Sequence, residues 1–269
     1  LGTRAFSEIG GEVVSTVTWI SKKISPKNEG TYIRLVDYNN AELKEQEFSN
    51  KDNYFQAKQK DFEKIPGSPI AYWVSNRILS IFEKMQNLKK DGDTRQGMAT
   101  SDNNRFLRLW NEVNYNKIGY NMTNSQEALE SKKKWFPYNK GGEFRKWYGN
   151  QEYLVNWEND GYEIKNYAES LYKSVTRTIK SISEYFKTSI SWSKISSGNI
   201  AFRYYPKGFI FDVAGCSIFY KDENIMKYHF GLLNSKIAKT CLKVISPTLN
   251  YEAGQIAILP VLEKSSNNI

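Results

Sequence analysis

The sequence predicts an α+β fold in which a twisted mixed or antiparallel sheet packs against helices. Three observations predict it. Short strand-like runs (EYLVNW, SISW, IAFRYY and GFIFDVAGCSIFY) alternate with Gly, Ser, Asn and Pro breaks, the pattern of a loop-rich sheet rather than a bundle. Two segments, Glu163 to Lys180 and Met226 to Ile245, instead place apolar residues at helical spacing. Apolar residues make up 40% of the 269, with 7 Trp, 18 Tyr and 14 Phe, so there is ample area to bury in a core.

Taken in order, EVVSTVTWI (Glu12 to Ile20) and TYIRLVDY (Thr31 to Tyr38) are β-branched and aromatic, and the turn-forming SKKISPKNEG separates them; two neighbouring strands are predicted. Asn39 to Lys64 is charged and lacks a sustained apolar period. It is expected to be a linker or surface excursion, ending at Ile65-Pro66-Gly67. Val74, Ile78, Ile81, Phe82 and Met85 then recur at helical spacing and predict a helix from about Tyr72 to Met85 that opens a second domain. The two longer helices carry Ile164, Tyr167, Leu171, Val175 and Ile179 on one apolar face, and Phe230, Leu233, Ile237, Cys241 and Val244 on the other.

Composition removes several function classes. The longest apolar runs, Gly208 to Gly215 and Ile256 to Leu262, are far shorter than the roughly 18 residues of a membrane span, so no membrane partner is expected. Cys216 and Cys241 lie in apolar surroundings and read as buried free thiols of a reducing, cytoplasmic compartment. His229 is the only histidine and reads as an ordinary helix residue; with it, Cys-His metal clusters are excluded, no G-x-S-x-G elbow is present, and no metal site is expected. No Gly-rich phosphate loop is present. The chain opens Leu1-Gly2-Thr3 without Met or a basic n-region, so a fragment of a longer protein without a signal peptide is expected. What remains is positive charge, a net +9, combined with aromatics.

Residues 132 to 148, KKKWFPYNKGGEFRKWY, concentrate both: six basic residues, one acid and six aromatics around a Gly-Gly that lets backbone approach a ligand. Lys and Arg neutralise phosphates, and Trp and Tyr stack on bases or wedge into a step. The competing reading makes Trp135, Phe136 and Trp147 core and the lysines a solvated rim. Lys173, Arg177 and Lys180 fall at i, i+4 and i+7 on the predicted helix, a basic stripe for phosphates or an ordinary solvated face. Two acid-then-Glu-x-Lys spacings, Asp37 with Glu42 and Lys44, and Asp160 with Glu163 and Lys165, imitate a metal nuclease. They fall in polar loop or helix-start sequence instead of a buried strand and are read as accidental. WFPYN likewise fails as an amino-methyltransferase signature [DNS]-P-P-[YFW], because Phe136 stands where the acceptor for the exocyclic amine of a flipped base must be.

The segments RAFSEIGGEVVSTVTWI, IPGSPIAYWVS, RQGMATSDNNRFLRLWNEV, KWFPYNKGGEFRKWYGNQEYLVNWENDG, SGNIAFRYYPKGFIFDVAGCSIF and LLNSKIAKTCLKVISPTLNYEAGQIAILPV together resemble the C-terminal part of BREX-type, PglX-like adenine-specific DNA methyltransferases, which carry a TaqI-like specificity domain. The resemblance covers nearly the whole chain. It implies a phage-defence enzyme whose class I methyltransferase domain binds S-adenosylmethionine and holds a flipped adenine with N-P-P-[YF], neither of which motifs is in this chain. On the resemblance, residues 1–45 are the last strands of the catalytic domain, 46–66 a linker and 67–269 the target-recognition domain. The recurrent G-[IL]-x-T-G-x-N-x-x-F of such domains matches Gly97 to Phe106 with Met98 at the Ile/Leu position and Ser101 in place of the second Gly.

The resulting expectation is a fragment that reads duplex DNA, itself inactive and without cofactor, for an enzyme that methylates adenine with S-adenosylmethionine. Lys140, Arg145, Lys146, Lys173, Arg177 and Lys180 are expected on phosphates, with Trp147 beside them. Base choice is expected in three loops, Arg95 to Arg105, Asn139 to Arg145 and Ser193 to Arg203, through Arg95, Asn103, Asn104, Arg105, Asn139, Ser193, Lys194, Ser196 and Arg203. A surface docking other subunits of the defence complex is the first alternative, and a nuclease the second.

Overall fold

Strands form in this chain where a β-branched or aromatic run finds a partner in register. In the computed structural model, which describes residues 1–8, 15–23, 29–196 and 199–262, the chain divides into two compact units, Leu1–Glu83 and Lys84–Ile269.

In the first unit β1 (Gly30–Ile33) pairs antiparallel with β2 (Tyr54–Ala57), Tyr32 standing opposite Phe55. Between them lies α1 (Ala41–Gln46), whose first turn is capped by Asn40 accepting from the Leu43 N–H. Lys44 turns inward from this helix, donating to the Leu35 and Tyr38 carbonyls. α2 (Gln59–Phe62) and α3 (Asn76–Lys84) follow. Residues 39–64, expected as a linker or surface excursion, are therefore folded and supply the second strand of the pair. The EVVSTVTWI run does not supply it. Residues 9–14 lie outside the described residues; of the rest, Thr16 bridges Gly2 while Val17, Trp19 and Ile20 are exposed. The predicted helix at Tyr72 starts four residues later, because Tyr72 is stacked on Tyr32 and Ser75 provides the cap, accepting from the Ile78 N–H.

The second unit runs β3 (Gln86–Asn87), β4 (Gly92–Arg95), α4 (Asn103–Phe106), β5 (Leu107–Leu109), α5 (Ser125–Glu130), β6 (Trp135–Asn139), β7 (Tyr153–Asn156), α6 (Glu158–Tyr172), β8 (Ser189–Trp192), β9 (Phe202–Tyr205), β10 (Ile210–Phe211), β11 (Ser217–Tyr220), α7 (Glu223–Leu233), α8 (Lys236–Ile245), α9 (Ala253–Ala257) and β12 (Pro260–Val261). The expected single sheet is divided. One four-stranded sheet has the order β10-β6-β7-β5, with β10 parallel to β6 and the other pairs antiparallel; a second, wholly antiparallel, has the order β4-β11-β8-β9; and β12 pairs with β3. The fold is thus mixed α and β with several sheets and packed helices. Its main core joins Phe136, Tyr138 and Val155 of the first sheet to Phe219 of the second, and to Trp157, Ile164, Tyr185 and Phe186 from the connections. Pro137 is tolerated in β6 because it precedes the point, Tyr138, where β10 begins to pair.

Both long predicted helices are interrupted. α6 ends at Lys173, which adopts a left-handed conformation (φ 53°) with its N–H bonded to the Glu169 carbonyl; a short 3-10 turn over Val175–Arg177 follows. The predicted Met226 to Ile245 helix is two helices, since Ser235 caps α8 by accepting from the Ala238 N–H and Asn234 leaves the helix to bond both the N–H and the carbonyl of Phe202.

Candidate nucleic-acid interface

The segment Gly97 to Phe106 runs beside β10 and its continuation. Met98 donates its N–H to the Phe211 carbonyl and accepts from Val213, in a parallel bridge with Asp212. Only glycine fits at position 97, because a Cβ there would lie 1.9 Å from the Phe211 carbonyl oxygen. Ser101, at the position where the pattern has its second Gly, takes a left-handed backbone (φ 61°), the conformation that glycine adopts most readily. Asp102 then caps α4, accepting from the Arg105 N–H.

This turn forms one wall of a groove of about 400 Å³ lined by Asn103, Asn104, Arg108, Glu112, Lys140 and Tyr153, with Leu107 and Leu109 beneath. Lys140 is fixed at its rim. Its Nζ lies 2.8 Å from Asp212 Oδ2 and 3.4 Å from Asn103 Oδ1, and Asp212, completely buried, also accepts from the Tyr138 hydroxyl and the Ala214 N–H. Burial, reinforced by the adjacent Asp212, pushes the Tyr138 hydroxyl well above its ordinary pKa, so it stays a donor. Sequence reasoning missed Asp212, Arg108 and Glu112. The signal for Asp212 was present: an acid inside the apolar run GFIFDVAG has to be buried with partners.

Lys180 meets the start of the same loop, with Nζ 3.4 Å from Gln96 Oε1, while Ser181 donates to the Gln96 carbonyl. Arg95 is paired with Asp93 at 2.8 Å. Arg105 is paired with Glu163 at 2.8 Å and lies over the Phe106 and Tyr167 rings. The hydrogen bond from Arg105 holds the Glu163 carboxyl below the usual range. The Arg95 to Arg105 loop is thereby met by two groups distant in sequence, by Lys180 at Gln96 and by Lys140 at Asn103.

No protein-family profile matches the chain. Curated relatives do. Adenine-specific methyltransferase PglX of Lacticaseibacillus casei (strain Zhang) is 40% identical over 280 residues, covering 100% of this chain and 23% of that protein. Adenine-specific methyltransferase BrxX of Escherichia coli O9:H4 (strain HS) is 38% identical over 274 residues, covering 98% of this chain and 21% of that protein. The chain is homologous, over its whole length, to part of these methyltransferases. It spans less than a quarter of either relative.

The remaining candidates of this PglX/BrxX-like segment are more dispersed. Asn139 is buried, with its amide donating to Ser191 Oγ and the Gly215 carbonyl and its oxygen accepting from the Gly141 N–H, so the side chain is spent inside the protein. Ser193 and Arg203 are also interior: the Arg203 guanidinium donates to Ser193 Oγ, and Ser193 donates to the Gly142 carbonyl. Burial lowers the Arg203 pKa, and its Nε has no hydrogen-bond partner among the described residues. Gly141 and Gly142 approach protein instead of ligand, since a Cβ at Gly141 would lie 2.6 Å from the Ala214 carbonyl. The side chains of Asn139, Ser193 and Arg203 are all buried and bonded within the protein. Trp135 and Phe136 belong to the core, whereas Trp147 is half exposed, edge-on to Phe230.

Arg145 pairs with Glu152 at 3.6 Å, Lys146 donates to the Asn234 carbonyl at the end of α7, Lys194 pairs with Glu252, and Ser196 donates to the Asn199 carbonyl. Ser197 and Gly198 of this third loop lie outside the described residues. The basic stripe is not a helix face. Lys173 ends α6, Arg177 sits on the 3-10 turn over Tyr172, and Lys180 follows in a loop; all three are exposed. The nuclease-like spacings are taken apart: Lys44 is buried on carbonyls, Lys165 pairs with Asp160, and Glu163 with Arg105. Among the described residues no group of three or more His, Cys, Asp or Glu could hold a metal ion, and no helix is long and apolar enough to cross a membrane.

Proposed function

We propose that this chain is the DNA-reading part of a site-specific adenine DNA methyltransferase of a BREX phage-defence system, acting in the cytoplasm on duplex DNA. The observation that carries the reading is the groove in which a buried acid, Asp212, fixes Lys140 beside Asn103. The Asn103 carbonyl oxygen is taken by the Thr100 hydroxyl and Lys140, which leaves its amide N–H groups beside the Lys140 ammonium, and such positioned donors match the acceptors of base edges. Exposed Lys173, Arg177 and Lys180 supply phosphate contacts, which give register without sequence choice. Homology to PglX and BrxX supports the adenine assignment.

On this reading residues 1–45 close the catalytic domain, 46–66 lead on from it while folding back through β2 onto β1, and 67–269 recognise the target, with base choice in the Arg95 to Arg105 loop and at Lys140. S-adenosylmethionine belongs to the rest of the intact enzyme. The groove does not fit it: Arg108 and Lys140 would face its sulfonium charge, and Glu112 is occupied with the Leu109 N–H. Other subunits of the defence complex are further partners of the intact enzyme.

The test is a titration of the chain with duplex DNA at several salt concentrations. The expected result is affinity that falls linearly with log salt, with a slope of several units. Salt-independent or absent binding overturns the reading.

A further inference from the structure

Another recess of the Lys84–Ile269 unit opens on the other side of the first sheet. Tyr153 and Leu154 are consecutive on β7, and each lines a different recess, as alternation along a strand requires. The second recess has a volume of about 360 Å³ and is walled by Trp110, Tyr120, Tyr148 and Phe209, with Pro137 and Pro206. Trp110 is 57% and Tyr148 65% exposed, and neither ring pairs with another ring among the described residues. Gln151 also lines it; its Nε2 is buried with no hydrogen-bond partner among the described residues. Lys207 brings a cation to the same recess.

Resting on the DNA-binding reading above, we propose that this recess accepts a nucleobase displaced from its stack, with Trp110 and Tyr148 against its faces, Gln151 Nε2 donating to an acceptor on its edge and Lys207 near its phosphate. An exposed aromatic ring offers stacking that any base can use, and every base carries an edge acceptor for one amide donor, so the site is tolerant of sequence where the groove is selective. A proline-rich peptide also packs on aromatic walls. The cation in the recess and the net charge of +9 favour the polyanion.

The experiment compares two labelled DNA duplexes of the same sequence, one fully paired and one carrying a single bulged, unpaired base, titrated against the full 269-residue chain. The bulged duplex is expected to bind about five- to a hundredfold tighter. Trp110→Ala removes that preference and leaves affinity for the paired duplex unchanged; Trp110→Phe retains most of it, and Gln151→Leu reduces it several-fold. Equal affinity for the two duplexes, or a preference that survives Trp110→Ala, overturns this inference while salt-dependent binding of the paired duplex leaves the proposed function intact. Failure of both duplexes to bind overturns both. A change in tryptophan fluorescence on adding a ten-residue polyproline peptide that is lost in Trp110→Ala, without a bulge preference, assigns the recess to peptide and overturns the inference as well.

Discussion

The ammonium of Lys140 and the carboxylate of Asp212 lie 2.8 Å apart, the acid with 1% of its side chain exposed and the base with 28%. The asymmetry gives each a separate task. Asp212 is committed to the interior, where the Tyr138 hydroxyl and the Ala214 N–H also donate to it, whereas Lys140 presents a positioned donor to the groove with part of its charge already offset.

Asp212→Ala is expected to destabilise the chain by about 2–4 kcal/mol, somewhat below the loss for a fully buried pair because Lys140 can rehydrate. Lys140→Met should lose less, since two donors still satisfy Asp212. Urea denaturation of the two variants checks the order; equal losses would contradict the asymmetry.

Arg177→Ala and Lys173→Ala are each expected to lower the salt slope of duplex binding by about 0.9, without changing preference among sequences. Neither makes an ion pair among the described residues, so the full charge is available. Lys140→Ala should lower the slope by less, because Asp212 already offsets its charge, and should alter preference. Asn139→Ala and Arg203→Ala should reduce stability and leave the slope of the remaining folded protein unchanged. Titrations at three or more salt concentrations separate these outcomes.

His229 is buried in α7, 3.3 Å from the Tyr220 hydroxyl, and burial lowers its pKa against the opposing pull of Asp91. The unfolded chain therefore takes up the proton first. The resulting stability is fully present above the unfolded value of about 6.5 and is lost as pH falls from there through the lowered folded value. Urea denaturation at pH 7.5 and pH 5 should show a larger drop for the parent chain than for His229→Gln, in which this group no longer titrates.

Ser101→Gly should stabilise the chain by about 0.5–1 kcal/mol, since the left-handed turn then carries no Cβ and the gain is partly offset by the greater freedom of glycine in the unfolded state. Thermal denaturation checks the sign. A lower melting temperature would mean that the exposed serine makes an interaction worth more than the strain.

Residue chemistry local to each segment was enough to find β7, β8 and β9, to place helical sequence in the regions of α3, α6, α7 and α8, and to mark Cys216 and Cys241 as interior thiols. Local chemistry also carried the resemblance that the PglX and BrxX homology bears out. It did not show that Lys173 and Asn234 break the two long helices, because the apolar spacing continues past both; the left-handed turn at Lys173 and the bonds from Asn234 to Phe202 overrule it. Nor did it separate Asn139 and Arg203, drawn inside by partners 52 and 10 residues away, from Lys140, left at a groove. A side chain's exposure depends on which distant strand packs over it, and that is a property of the assembled sheets: β10 delivers Asp212 to Lys140 across 72 residues, and no periodicity in a single segment encodes that meeting.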